Sequence, residues 1–261
     1  MSEVLHTHED EGVLVMRLNR PSMKNALNLD ALRQLAQAYT ALSQSDHLRC
    51  GLLCGEGDVF CAGLDLADVL PAAIQDGPGC YLQDGQCDPF RLWGPGCKKP
   101  IIAAVHGRCY TAGLELVLAG DMCIAATGTQ FAQLETKRGI FPFGGGTFRL
   151  PEAIGWGNAM RCILAGGTFS AEDALRWGLV QELADTTDLP KQALRLAREV
   201  VSCAPLAVQA ALANARVAKT LGVAQAIEDI RTEGRRIALT QDAREGMMSL
   251  MQRRPAKFVG A

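Results

Sequence analysis

Apolar residues run almost unbroken from Val13 to Leu18 and stop at Asn19-Arg-Pro21. A short apolar run closed by turn residues predicts a buried strand. Cys50-Gly-Leu-Leu-Cys54, ending in the turn Gly55-Glu-Gly57, predicts a second, and Ile101–Val105 and Met122–Ala126 two more. A different period follows Asn28. Leu32, Leu35, Ala36, Tyr39 and Leu42 recur at helical spacing, and Asn28 is placed as the N-cap. Between the strands at 101–105 and 122–126, the segment Ala112–Ala119 is apolar and too long for a tight turn, which predicts a helix. Strands alternating with helices point to an α/β domain.

Residues 71–99 break this pattern. They are rich in Pro, Gly, Gln and Asp and carry Tyr81, Phe90 and Trp93. Two readings stand: a long surface loop, or a mobile wall over a ligand pocket. The pattern changes again near Pro190. Only 4 of the 27 glycines lie beyond it, and helical periods cover about 190–202, 205–220, 223–240 and 242–254. Pro205 suits a first helical turn, and Asp242 with Glu245 has the spacing of a capping box. The chain is therefore divided into a core of residues 1–189 and a helical subdomain of residues 190–261. The apolar positions of that subdomain can serve its own packing or a second subunit.

Composition narrows the function. The 261 residues carry 26 Lys+Arg against 28 Asp+Glu, a net charge of −2, and only 5% aromatic side chains. Neither the basic excess nor the stacking platforms of a nucleic-acid binder are present. No run approaches the roughly 20 apolar residues of a membrane helix. The start, Met1 to Glu11, is polar and acidic, unlike a secretory or transit signal, and predicts a cytoplasmic protein. Ten cysteines are scattered without a C-x-x-C pair and read as reduced, mostly buried thiols. None of the five G-x-G occurrences (55/57, 77/79, 94/96, 144/146, 155/157) has the third glycine of a dinucleotide fingerprint. Four histidines leave few ligands for a His-based metal site.

Three segments can carry chemistry. Phe60-Cys-Ala-Gly-Leu-Asp65 follows one strand, and Val105–Glu115 follows another. Each places small residues where the chain leaves a strand for a helix, so backbone N–H groups are left pointing outward. Two such groups converging would stabilise an oxygen that gains negative charge. The third segment, Phe131–Gly146, contains Glu135, while Glu115 begins the apolar helix. Glu115 can simply favour a helix N-terminus and Glu135 can simply be surface. Meeting in an apolar pocket, the two carboxyls would share acid and base roles.

These segments resemble the enoyl-CoA hydratase/isomerase, or crotonase, superfamily over nearly the whole chain. The matching pieces are Leu18-Asn-Arg-Pro21, Lys24-Asn-Ala-Leu27, Phe60–Leu66, Lys99–Gly107, Gly113-Leu-Glu-Leu116 and Asp121. Phe131–Glu135, Gly139–Pro142, Gly144-Gly-Gly146, Ala171–Ala174, Trp177–Val180 and the tail Glu245–Phe258 follow in order. The resemblance implies a crotonase-like (Clp protease-like) α/β spiral of ββα units with a C-terminal helical trimerisation region. It implies a homotrimer or a dimer of trimers, acting on an acyl-coenzyme A thioester without a metal or redox cofactor.

The matching oxyanion-hole donors are the backbone N–H groups of Ala62 and Ala112. Position 112 is usually Gly in this family, so the alanine methyl narrows the pocket. The matching acid/base pair is Glu115 and Glu135. Members that lack one of these carboxyls do other chemistry, so keeping both favours hydration of a 2-enoyl-CoA. Isomerisation, dehydration of a hydroxyacyl-CoA and a catalytically silent binding role are the alternatives. Lys24, Ala26, Ala62, Gly63, Leu64, Asp65 and Ala112 match the substrate and coenzyme A channel. Arg253 and Lys257 are candidates for the coenzyme A phosphates, a solvated surface being the other reading of these basic residues.

Overall fold

The computed structural model describes residues 3–261. Strands β1 (Leu5–Asp10) and β2 (Val13–Leu18) form an antiparallel hairpin, with Leu5 opposite Leu18 and Asp10 opposite Val13. Helix α1 (Leu29–Gln44) starts where its cap dictates: the Asn28 side chain accepts from Ala31 N at 3.0 Å. Strand β3 (Cys50–Gly55) and helix α2 (Leu66–Asp76) follow. Then β4 (Ile101–Val105), β5 (Arg108–Tyr110) and α3 (Ala112–Ala119) form one turn of a spiral. The next turn brings β6 (Met122–Ala126), β7 (Gln130–Ala132), α4 (Gly146–Ile154) and α5 (Trp156–Ala165). A further turn brings β8 (Thr168–Ser170), α6 (Ala171–Trp177) and β9 (Glu182–Ala184).

Each turn contributes one strand to a six-stranded sheet, ordered β1-β2-β3-β4-β6-β9, and the small strands form a second sheet, β5-β7-β8. From β2 to β9 the large sheet is parallel, and its strands are mostly apolar, Arg17 and Glu182 apart, because both faces are covered. Alternate residues divide between the faces. Leu14, Met16, Leu53, Ile101 and Ala103 join the main core with α1, whereas Val13, Val15, Leu52, Ile102 and Ile124 face the other way.

That second face corrects the division near residue 190. It is covered by α7 (Leu189–Val201), whose Leu189, Ala193 and Ala197 are buried against it. The loss of glycines begins at 190, but the change in packing falls after α7. Helices α8 (Pro205–Leu221), α9 (Val223–Ala238) and α10 (Gln241–Gln252) then bury almost nothing, Ala226 being the one buried hydrophobic side chain among them. No single helix among the described residues is long and apolar enough to cross a membrane.

Two other expectations change. The N-cap of α10 is Thr240, whose hydroxyl accepts from Ala243 N at 3.1 Å. Asp242 and Glu245 are not a capping box. Asp242 is buried and accepts from Val259 N and Gly260 N, while Glu245 binds Arg254 and accepts from Lys257 N. Both carboxylates fasten the C-terminal tail. Residues 71–99 are likewise not a loose loop. The first six belong to α2, and the rest wrap around the fully buried Asp88. Its carboxylate accepts from Tyr81 OH (2.6 Å), Phe90 N (2.9 Å), Leu92 N (2.7 Å) and Trp93 N (2.8 Å). A buried charge is tolerated when it is hydrogen-bonded this completely. All ten cysteines are free thiols, seven of them buried.

Candidate active site

The site forms where the segment after β3 meets the start of α3. Phe60 N donates to His106 O (2.9 Å), Cys61 N to Arg108 O (3.0 Å), and Tyr110 N back to Cys61 O (2.9 Å). Two glycines let the segments approach this closely. A Cβ on Gly63 would fall 1.7 Å from Thr111 Oγ1, and one on Gly113 would fall 2.7 Å from Cys61 Cβ.

The backbone donors in this segment can be followed one by one. Ala62 N donates to Lys24 O (3.0 Å), Gly63 N to Cys61 Sγ (3.4 Å) and Asp65 N to Leu27 O (2.8 Å). Leu64 N has no acceptor among the described residues. The expectation that Ala62 supplies the oxyanion donor is therefore corrected: its N–H is engaged with the turn at Lys24, and the free donor is Leu64's. Ala112 is the first residue of α3, and its N–H also has no acceptor among the described residues, as helix geometry requires.

Leu64 and Ala112 border a cavity of about 20 Å³, together with Leu66, Thr111, Glu115, Glu135, Arg138, Ile140 and Phe143. That is about the space one water molecule needs. The two expected carboxyls are thus brought to one cavity with two free N–H groups.

Glu115 is buried one turn into α3. Its Oε1 accepts from Gly144 N (2.9 Å) and Gly146 N (2.8 Å). Burial pushes its pKa up to about 7. The two amides and Arg149 oppose that rise, and the Glu135 charge adds to it. Glu135 opens a 3-10 turn over Glu135–Arg138, and its pKa is raised chiefly by burial. Its Oε2 is buried without a hydrogen-bond partner among the described residues, as are both amide atoms of the fully buried Gln133. The Phe90 ring lies against Gly144, but no residue of 71–99 borders this cavity.

The remaining expected residues divide. Lys24 is exposed, in left-handed backbone (φ 52°), and serves this segment through its carbonyl. The Ala26 carbonyl accepts from Arg20, which also pairs with Asp65 at 3.1 Å. Both contacts brace the loop beside the cavity. Arg253 and Lys257 lie at the end of α10 and in the tail, and neither borders this cavity within one chain. Reading the sequence missed the Gly144 and Gly146 amides as the holders of Glu115. The signal was the run of three glycines, which permits the tight entry into α4 with Gly145 at φ 96°.

Residues 8–261 match the family model described as enoyl-CoA hydratase/isomerase. An enoyl-CoA hydratase of Mycobacterium tuberculosis is 32% identical over 249 residues, covering 94% of this chain and 92% of the relative. A 1,2-epoxyphenylacetyl-CoA isomerase of Escherichia coli is 32% identical over 268 residues and covers both chains fully. Among solved structures, a probable enoyl-CoA hydratase/isomerase from Mycobacterium abscessus superposes with a TM-score of 0.94 at 42% identity, over 99% of each chain. With its spiral of two-strand turns and its buried glutamate pair, this chain belongs to the enoyl-CoA hydratase/isomerase family of the crotonase superfamily.

Proposed function

We propose that the protein is an enoyl-CoA hydratase, adding water reversibly across the double bond of a 2-enoyl-CoA thioester. The observation that carries this reading is the pair of buried carboxyls on one cavity bordered by two unengaged backbone N–H groups.

The thioester oxygen accepts from Leu64 N–H and Ala112 N–H. These donors are fixed before the reaction, so they stabilise the enolate oxygen without reorganising. Withdrawal of electrons through the carbonyl makes the β-carbon electrophilic. Glu115 is the base. Two amides hold its Oε1, which favours the carboxylate, and Oε2 remains to accept from water. Water gives a proton to Glu115 as its oxygen bonds to the β-carbon, and the π electrons move onto the thioester oxygen. Glu135, whose buried and unpartnered Oε2 favours the neutral acid, then gives its proton to the α-carbon as the enolate collapses. Proton exchange between the carboxyls restores the starting state, and the route uses no metal or redox cofactor.

Lys24, Arg253 and Lys257 are the proposed contacts of the coenzyme A phosphates, the last two across a subunit boundary. The exposed Leu221, Ile227, Ile230, Leu239, Leu250 and Met251 of the C-terminal helices suit a homotrimer or a dimer of trimers.

Loss of the conjugated enoyl-thioester absorbance of crotonyl-CoA tests the reaction. Glu115→Gln is expected to lower hydration by about 10²–10⁴. Isomerisation of a 3-enoyl-CoA needs one carboxyl, so any such activity is expected to survive Glu115→Gln and fail in Glu135→Gln. Hydration at the wild-type rate in folded Glu115→Gln refutes the two-carboxyl mechanism.

A further inference from the structure

The Gly144–Gly146 amides fix one oxygen of Glu115, yet a glycine run does not hold its own position. It is held from α4. Arg149, in the first turn of that helix, donates Nη1–H to Gly144 O (3.1 Å) and Nη2–H to Arg91 O (3.4 Å). Arg91 is itself fixed, with left-handed backbone (φ 54°) and its guanidinium on Asp121 (3.3 Å). Asp121 accepts as well from Ile101 N (2.8 Å) at the start of β4 and from Arg216 of α8 (2.9 Å). Arg149 therefore stands between the anchor of the acid/base group and a half-buried ionic knot that reaches the C-terminal helices.

We propose that Arg149 is a positioning residue for Glu115: its guanidinium bridges the Gly144 and Arg91 carbonyls and so keeps the two amides on Oε1, with its charge turned toward the carboxylate they hold. The proposal rests on the reading of Glu115 as the base. A planar two-sided donor suits this bridge, because a guanidinium reaches two carbonyls at a fixed angle where an ammonium offers a single point. The charged groups around it are few. Glu115 is faced by Glu135 from the 3-10 turn and by Arg149 from α4. Arg149 is faced by Arg91 and Asp88 from the segment before β4, by Glu152 on its own helix, and by Glu115. Removing Arg149 takes away a cation that favours the Glu115 carboxylate and leaves its burial less opposed.

The test follows the Glu115 carboxyl directly. In protein carrying ¹³Cδ-labelled glutamate, its resonance is the one missing from Glu115→Gln. Arg149→Met is expected to move its titration midpoint upward by about one pH unit. From a starting value of about 7, that lowers the ionised fraction at pH 7 about fivefold. The kcat on crotonyl-CoA is expected to fall by about that factor at pH 7 and to recover at alkaline pH, with KM little changed. Arg149→Lys is expected to restore part of the midpoint shift, because the charge returns, and a smaller part of kcat, because the bridge that holds the two amides does not. An unchanged midpoint in Arg149→Met, or a kcat loss equal at every pH and tracking the melting temperature, overturns the proposal. Should Arg149→Met not fold, Arg149→Gln gives the same reading, since it keeps a donor for Gly144 O and removes the charge. If the protein hydrates no enoyl-CoA, the midpoint still decides the role of Arg149, and only the function assigned to Glu115 falls.

Discussion

Gly63→Ala probes the junction on which the proposed oxyanion hole depends. The backbone at Gly63 has φ 111°, outside the ordinary left-handed well, and its missing Cβ would lie 1.7 Å from Thr111 Oγ1 and 3.1 Å from Thr111 Cβ. Strain at such a φ costs about 1–3 kcal/mol. The overlap adds about 1–3 kcal/mol more, as for other overpacked sites. Rotation of the Thr111 side chain can carry Oγ1 away but not Cβ, which the backbone holds through Thr111 N–H on Ala132 O at 2.8 Å, so the remaining overlap presses the two segments apart. Separation carries Leu64 N–H away from Ala112 N–H. Gly63→Ala is thus expected to destabilise the protein by roughly 2–6 kcal/mol, the sum of those two costs. In the fraction that folds, kcat is expected to fall by about 10²–10³, the usual loss for one oxyanion donor. Thr111→Gly in the same chain removes the opposing side chain and should return part of both. The assays are urea unfolding at fixed protein concentration and crotonyl-CoA hydration below the unfolding transition. A folded Gly63→Ala enzyme with wild-type kcat would show that convergence of these segments does not set the donor pair.

Two further outcomes follow from burial. Glu115 has its pKa raised from an ordinary 4.5 to about 7, so the fold favours its protonated form. Its contribution is therefore fully present below about pH 4.5 and lost as pH rises through about 7. Relative to Glu115→Gln, the wild type should lose about 3 kcal/mol between pH 4 and pH 8, measured by urea unfolding at each pH. A stability difference independent of pH would mean that Glu115 is not desolvated. A chain ending at residue 203 keeps α7 over Val13, Val15, Leu52, Ile102 and Ile124 and should stay soluble, whereas one ending at residue 188 bares that sheet face and should aggregate in light scattering. Equal solubility of the two fragments would contradict the assignment of α7 to the core.

Much of this architecture is written in local pattern. Ile101–Val105, Met122–Ala126 and Val13–Leu18 form strands with the expected bounds, and Ala112–Ala119 forms the expected helix. Asn28 caps α1 as its side chain predicts. A strand buried on both faces or a capped amphipathic helix announces itself within a dozen residues, because its period and its end chemistry are properties of neighbouring side chains. The three-residue strands β5, β7 and β8 are too short to carry a period, and only pairing with one another makes them strands. Thr240 displaced Asp242 as a cap because Asp242 is claimed by amides 17 and 18 residues away.

The site divides in the same way. The sequence by itself placed Glu115 at the start of a buried helix and marked small residues at two strand-to-helix junctions. It could not say which N–H of Phe60–Asp65 stays free, because that depends on the carbonyls of Lys24 and Leu27, more than thirty residues earlier. Nor could it show that Gly144 and Gly146 hold Glu115, or that Arg149 grips Gly144. Hydrogen-bond partners at that range are settled only when distant segments pack. Tertiary structure alone therefore decided which N–H of that segment stays without an acceptor and which oxygen of Glu115 the amides hold.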